Sequence, residues 1–127
     1  MLGYLLIIMA GLFYANFWEW AIHKHLLHGK PAKTNKSVLS FHWTSHHRTC
    51  RKNDNHDNEL YVLEIVALTG ALLFHLPLLY LSKVFYCTLV YCVLNYYFKH
   101  RKAHKDVEWC KRHMPWHFDH HMGPNQD

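Results

Sequence analysis

The sequence predicts an all-α integral membrane protein with about three transmembrane helices. Three observations carry that expectation. Half of the 127 residues are hydrophobic and 16% are aromatic, and they collect in two long apolar runs. The 14 lysines and arginines avoid those runs, Lys83 excepted. The 14 histidines avoid them too, with His75 the exception. A chain of this length makes one domain, residues 1–127. Its formal net charge is +5. In a water-soluble protein that excess would suggest nucleic acid. Beside apolar runs it suits an anionic membrane surface, and no nucleic-acid partner is expected.

The first element is an apolar helix over Leu2–Ile22, with Glu19 its one charge. At about 1.5 Å per residue it is long enough to cross the hydrocarbon core. A cleaved signal peptide would need a basic start and a small-residue cleavage site. The run shows neither, and cleavage would part the first histidine group from its helix. The second run, Leu60–Phe98, is interrupted by Glu64, His75 and Lys83. It is too long for one crossing and suits two. The turn falls at His75–Pro77, where proline disfavours a continuous helix, or at Ser82–Lys83, where a lysine disfavours the bilayer centre. Either way the chain returns to the side it left.

Orientation follows from the basic residues. Lys24, Lys30, Lys33, Lys36, Arg48, Arg51 and Lys52 lie between the runs, and Lys99, Arg101, Lys102, Lys105, Lys111 and Arg112 follow the second. The positive-inside rule places 23–59 and 99–127 together on the cytoplasmic side. Trp18, Trp20, Tyr91, Tyr96 and Tyr97 sit near the run ends, where an aromatic belt belongs. Gly29–Pro31 reads as a turn. Cys50, Cys87, Cys92 and Cys110 have neither zinc-ribbon nor thioredoxin spacing. Cys87 and Cys92 read as small hydrophobes, and the polar side as facing a reducing cytosol.

The histidines fall into four groups: His23, His25 and His28; His42, His46 and His47; His100 and His104; His117, His120 and His121. Residues three or four apart share a helix face. His100 therefore pairs with His104, His42 with His46, and His117 with His120 and His121. His23 and His28, five apart, converge at a helix end. Neutral imidazole binds iron, copper, nickel and zinc, and two per turn make half a coordination sphere. Four groups supply about twice what one metal needs, so two metals are expected. Soluble two-iron bundles use glutamates in a Glu-x-x-His pattern, which does not repeat here. The expected ligands are His23, His28, His42, His46, His47, His100, His104, His117, His120 and His121. His25, His56, His75 and His113 read as ordinary surface or hydrogen-bonding side chains. Glu19, Asp119 and Asn95 are candidates for fixing imidazole tautomers.

These residues resemble the fatty acid hydroxylase superfamily, which includes sterol desaturases and C4-methylsterol oxidases and is related to bacterial beta-carotene hydroxylases. The resemblance runs from about Phe17 to His121. Glu19-Trp20-Ala21-Ile22-His23 and onward to His28 is similar to the first motif, and implies ligand roles for His23 and His28 but not His25. His42, His46 and His47 fill the second, with a spacer one residue longer than usual. His100 and His104 fill the third, and His117, His120 and His121 the last. The stretch Arg51-Lys52-Asn53-Asp54 is also similar to the carotene hydroxylases. The family continues well beyond its last His pair. This chain stops six residues past His121, as a minimal form or a C-terminally truncated one.

The resemblance implies a membrane-bound non-haem oxygenase holding two Fe ions and using O₂ to hydroxylate or desaturate a lipid. The substrate would be a fatty acyl chain, a sterol, a sphingolipid or a carotenoid. Zinc would fit the site in purified protein but has no redox chemistry. No flavin, haem or nicotinamide motif is present, so electrons would come from an external donor such as ferredoxin or cytochrome b5. No catalytic side chain is expected beyond the metal ligands. The alternative is a membrane metal-binding, transport or sensor protein without redox catalysis. Against it, Glu64 and His75 are the only polar candidates for a path through the apolar helices. The His-Glu-x-x-His pattern of metalloproteases is absent.

Overall fold

The computed structural model describes residues 2–33, 39–59 and 61–124; Lys36 and Leu60, used above, lie outside the described residues. Among the described residues every regular element is a helix. The order is α1 (Leu2–Ile22), π1 (His23–Leu27), α2 (Lys30–Lys33), π2 (His42–His47), α3 (Arg48–Lys52), α4 (Val62–Phe74), α5 (Leu78–Leu81), α6 (Lys83–Lys105), α7 (Val107–His113) and α8 (Pro115–Met122). They form two compact units: Met1–Glu19 with Leu60–Tyr97, and Trp20–Glu59 with Phe98–Asp127.

In the first unit, apolar side chains cover α1 on every face, and Gly11 is its one buried residue. Phe13 is 77% exposed and Leu2 69%. α1 runs without a break into π1, and Leu2–Leu27 is the one described helix long and apolar enough to cross a membrane. The second apolar run is more broken than expected. α4 has 13 residues, about 20 Å of helix, which is short of a hydrocarbon core. The apolar part of α6 gives way to a charged end, Lys99–Lys105. The three expected spans therefore reduce to one helix that meets the requirement by itself.

Both proposed turns are breaks. His75–Pro77 separates α4 from α5, and Ser82 is extended between α5 and α6 (φ −157°, ψ 108°). The Ser82 hydroxyl accepts from the Phe85 N–H at 3.2 Å and so caps α6. His75 is tied by its Nδ1 to the Ala71 carbonyl at 2.7 Å and by its Nε2 to the Tyr14 hydroxyl at 2.9 Å. α1 meets α6 where Gly11 lies under Thr88; a Cβ on Gly11 would stand 3.0 Å from Thr88 Cβ. A small residue permits that approach.

The second unit inverts the usual core. Its buried apolar residues are small, Ala32, Cys50, Ala103 and Cys110, and its buried bulk is imidazole: His28, His42, His46, His47, His100, His104 and His121. Local signals set the frame. Asp106 caps α7 by accepting from the Trp109 N–H at 2.9 Å, and Pro115 opens α8 at a first-turn position that needs no N–H. Gly123 ends α8: a Cβ there would fall 2.4 Å from the Asp119 carbonyl oxygen. After α3 the chain reverses through Asp54 and Asn55, both left-handed (φ 49° and 71°). That conformation suits Asn and Asp better than most residues. Where Gly29–Pro31 reads as a turn, the bend falls at His28–Gly29 and helix resumes at Lys30.

Candidate metal centre

The first two histidine groups sit on π-helical turns. In π1 the His28 N–H bonds the His23 carbonyl five residues back, at 2.9 Å. A π turn brings residues five apart onto one face. The His23 and His28 rings accordingly stack, with centroids 4.7 Å apart and planes at 28°. π2 likewise brings His42 and His47 together, though edge-on, with centroids 4.9 Å apart and planes at 72°. His42 meets His46, as expected, with centroids 5.3 Å apart, but its ligand atom groups with that of His47. The i, i+4 rule holds for α-helices, and this turn is wider.

The ten expected ligands converge in two nests. His23, His28, His42, His47 and His120 form the first, with candidate ligand atoms all within 4.8 Å of one another. His100, His104, His117 and His121 form the second on the same criterion, and His46 groups with Cys50, His104 and His121. The nests adjoin: His47 and His121 stack with centroids 4.2 Å apart. Each His-His pair splits between them. His47 and His120 face the first nest, His46 and His121 the second. His117 joins His121 one α-turn on, at 4.6 Å, and not His120, at 6.5 Å. Neighbouring helical residues point about 100° apart, so a His-His pair serves two centres.

Outer hydrogen bonds fix the rings. His46 Nδ1 donates to the Asp57 carboxylate at 3.1 Å, and His104 Nδ1 donates to the Asn55 carbonyl at 3.0 Å. Each bond directs Nε2, with its lone pair, inward. The left-handed pair after α3 delivers both partners, and the Asp57 N–H bonds the His104 carbonyl at 3.1 Å. Neither Asp57 nor Asn55 was among the expected partners. Asp119 is exposed on α8, and Glu19 and Asn95 belong to the first unit. Proximity of Asp57 to the Arg51–Asp54 stretch was the one sequence hint. Cys50 Sγ approaches His104 Nδ1 at 3.5 Å and His46 Nδ1 at 3.9 Å, behind the rings. Burial pushes its thiol pKa up, reinforced by Asp57, and Cys50 stands with His46, His104 and His121 in a group that could hold a metal.

Burial keeps the imidazoles neutral, the form that binds metal. His104 is lowered from 6.5 to about 3, by burial first and then by His100 and His46. His42, His47, His117 and His121 are lowered in the same sense, again chiefly by burial and then by neighbouring histidines. His42 Nε2 and both ring nitrogens of His47 are buried and make no hydrogen bond. Unmet buried nitrogens cost about 1–3 kcal/mol each, which a bound metal would offset. The nitrogen spacing also fits one. His23 Nε2 and His120 Nε2 are 3.0 Å apart, His100 and His104 Nε2 3.2 Å, and His104 and His117 Nε2 3.0 Å. Two nitrogens bound at right angles to one metal, at about 2.1 Å each, lie about 3.0 Å apart. These histidine groups could hold metal ions.

The histidines set aside stay outside both nests. His25 lies edge-on to Trp20, His56 bonds Asn58, His75 bonds Tyr14, and His113 stacks on Trp109. Fold and site together define a class: a chain helical in every regular element among its described residues, with two adjoining histidine nests that could hold metal. Compared with known proteins, the chain matches no family model, no curated protein and no solved structure.

Proposed function

We propose that this chain is a membrane-bound non-haem di-iron oxygenase that hydroxylates or desaturates a C–H bond of a lipid, with electrons from an external donor. One observation carries the reading: two adjoining nests offer nearly nothing but neutral imidazole to a metal pair. His23, His28, His42, His47 and His120 would hold one ion, and His46, His100, His104, His117 and His121 the other. Iron bound there would supply the redox chemistry that activates O₂. The chain's own residues hold the nitrogens neutral by burial, aim them through Asp57 and Asn55, and keep bulk water from both nests. The motif order that resembles the fatty acid hydroxylase and sterol desaturase superfamily supports the same reading. So does the apolar Leu2–Leu27 helix, which ends in the first histidine group. On this reading the nests lie at the cytoplasmic face, within reach of a soluble donor and of a substrate dissolved in the bilayer.

The test is product analysis. Iron-loaded protein in lipid receives oxygen-18 and a ferredoxin or cytochrome b5 donor with its reductase. The expected result is a lipid product carrying the label, or a new double bond. No new product with two irons bound and a competent donor would contradict the reading.

A further inference from the structure

Trp43 stands where the surface of the second unit meets the first nest. Its ring centroid is 5.4 Å from that of His28 and 5.4 Å from that of His47. Both histidines are buried, while Trp43 is half-buried. Outside it lies a hollow of about 320 Å³ lined by Trp43, His47, Arg48, Arg51 and Lys52. Lys33 Nζ sits 5.0 Å from the centroid of the Trp43 ring, over its face. Three cations thus line the hollow with Trp43 and a fourth lies over its ring, and no carboxylate lines the hollow among the described residues.

We propose that this face is the docking surface of an acidic one-electron carrier protein, with the Trp43 ring as its electronic contact with the nest. The inference rests on the oxygenase reading and names the partner that reading requires. The cations do not converge as they would on a phosphate or carboxylate. Arg51 turns its guanidinium toward the carbonyls of His121 and Gly123 at the end of α8, while Arg48 and Lys52 are exposed on the rim. A spread of positive charge steers and orients an acidic protein. With a metal held by His28 and His47, one electron per encounter would pass from the reduced centre of the carrier by way of the Trp43 ring to that metal. The carrier departs oxidised by one electron.

The experiment uses the iron-loaded full chain in detergent, with the soluble haem domain of cytochrome b5 as the probe. Binding is measured at about 50 mM and about 300 mM salt. Electron transfer is followed as reoxidation of the pre-reduced haem. Arg48→Glu with Lys52→Glu is expected to weaken binding at least about tenfold at low salt and to flatten its salt dependence. Trp43→Leu is expected to slow transfer about tenfold or more when compared at equal occupancy by the haem domain, with Trp43→Phe restoring most of the rate. Metal content serves as the folding control for every variant. Unchanged binding and transfer in the charge-reversed variant would overturn the docking surface. So would a variant that loses affinity for anionic lipid vesicles but not for the haem domain. Dithionite, which needs no docking surface, separates the two readings. If it reduces the wild-type iron while the variants behave as wild type, only this proposal fails. If it cannot reduce the wild-type iron, the oxygenase reading fails and this proposal with it.

Discussion

His46 and His47 are neighbours in the chain yet face different nests, as do His120 and His121. The division predicts how metal is lost. His47→Ala should empty the first nest and His117→Ala the second, each lowering content from about two metals per chain to about one. Elemental analysis of the purified variants checks it; loss of both metals from either single change would mean one shared site. Asp57→Asn keeps the shape beside His46 but weakens the acceptor. It should lower metal affinity about 10–100-fold, read by competition with a chelator. Proton competition supplies a third prediction. His104 takes a proton near 6.5 when unfolded but near about 3 when folded. Between those values the unfolded state binds more protons. Stability is therefore complete above the unfolded value and lost as pH falls through the window, at about 1.4 kcal/mol per pH unit for each such group. The Tm of the metal-free protein should fall steadily from about pH 7 to about pH 4, and a flat profile would contradict the burial of these rings. The convergence of these histidines was legible because paired imidazoles at helical spacing have few other uses. Asp57 and Asn55 were not, because their reach depends on a left-handed reversal that brings a loop onto α6. That contact is tertiary and leaves no periodic trace.

The elements that carry the histidines explain an irregularity of spacing. His42 and His46-His47 are separated by one residue more than the resembled motif has, and π2 absorbs the extra residue by widening the turn. Deleting Ser45 leaves His42 four residues before the second histidine of the pair, the spacing an α-turn aligns. The deletion should keep about two metals per chain, whereas an alanine inserted after Ser45 should cost the first nest its ion. Metal loss on the deletion would show that the π turn is required in itself. Sequence periodicity located α1, the histidine-bearing end of α6, and the helical face of His117 and His121. It could not foresee π1 and π2, since a five-residue repeat shown once is no period. It also left two sites for the break after α4, and the chain uses both: the His75–Pro77 turn, held by Tyr14, and the extended Ser82.

At the scale of the molecule, the two units divide the composition between them. Met1–Glu19 with Leu60–Tyr97 holds the exposed apolar helices, and Trp20–Glu59 with Phe98–Asp127 holds all ten nest histidines. A fold whose buried bulk is imidazole gains little from the hydrophobic effect in that unit, so bound metal should supply much of its stability. The second unit is then the part whose order depends most on the ions. The central claim is that these ten side chains hold two metals, and that the metals are iron. The direct test is elemental analysis of the full chain, purified in detergent from iron-replete cells. Two irons per chain is the result expected; one metal per chain, or none, would contradict it.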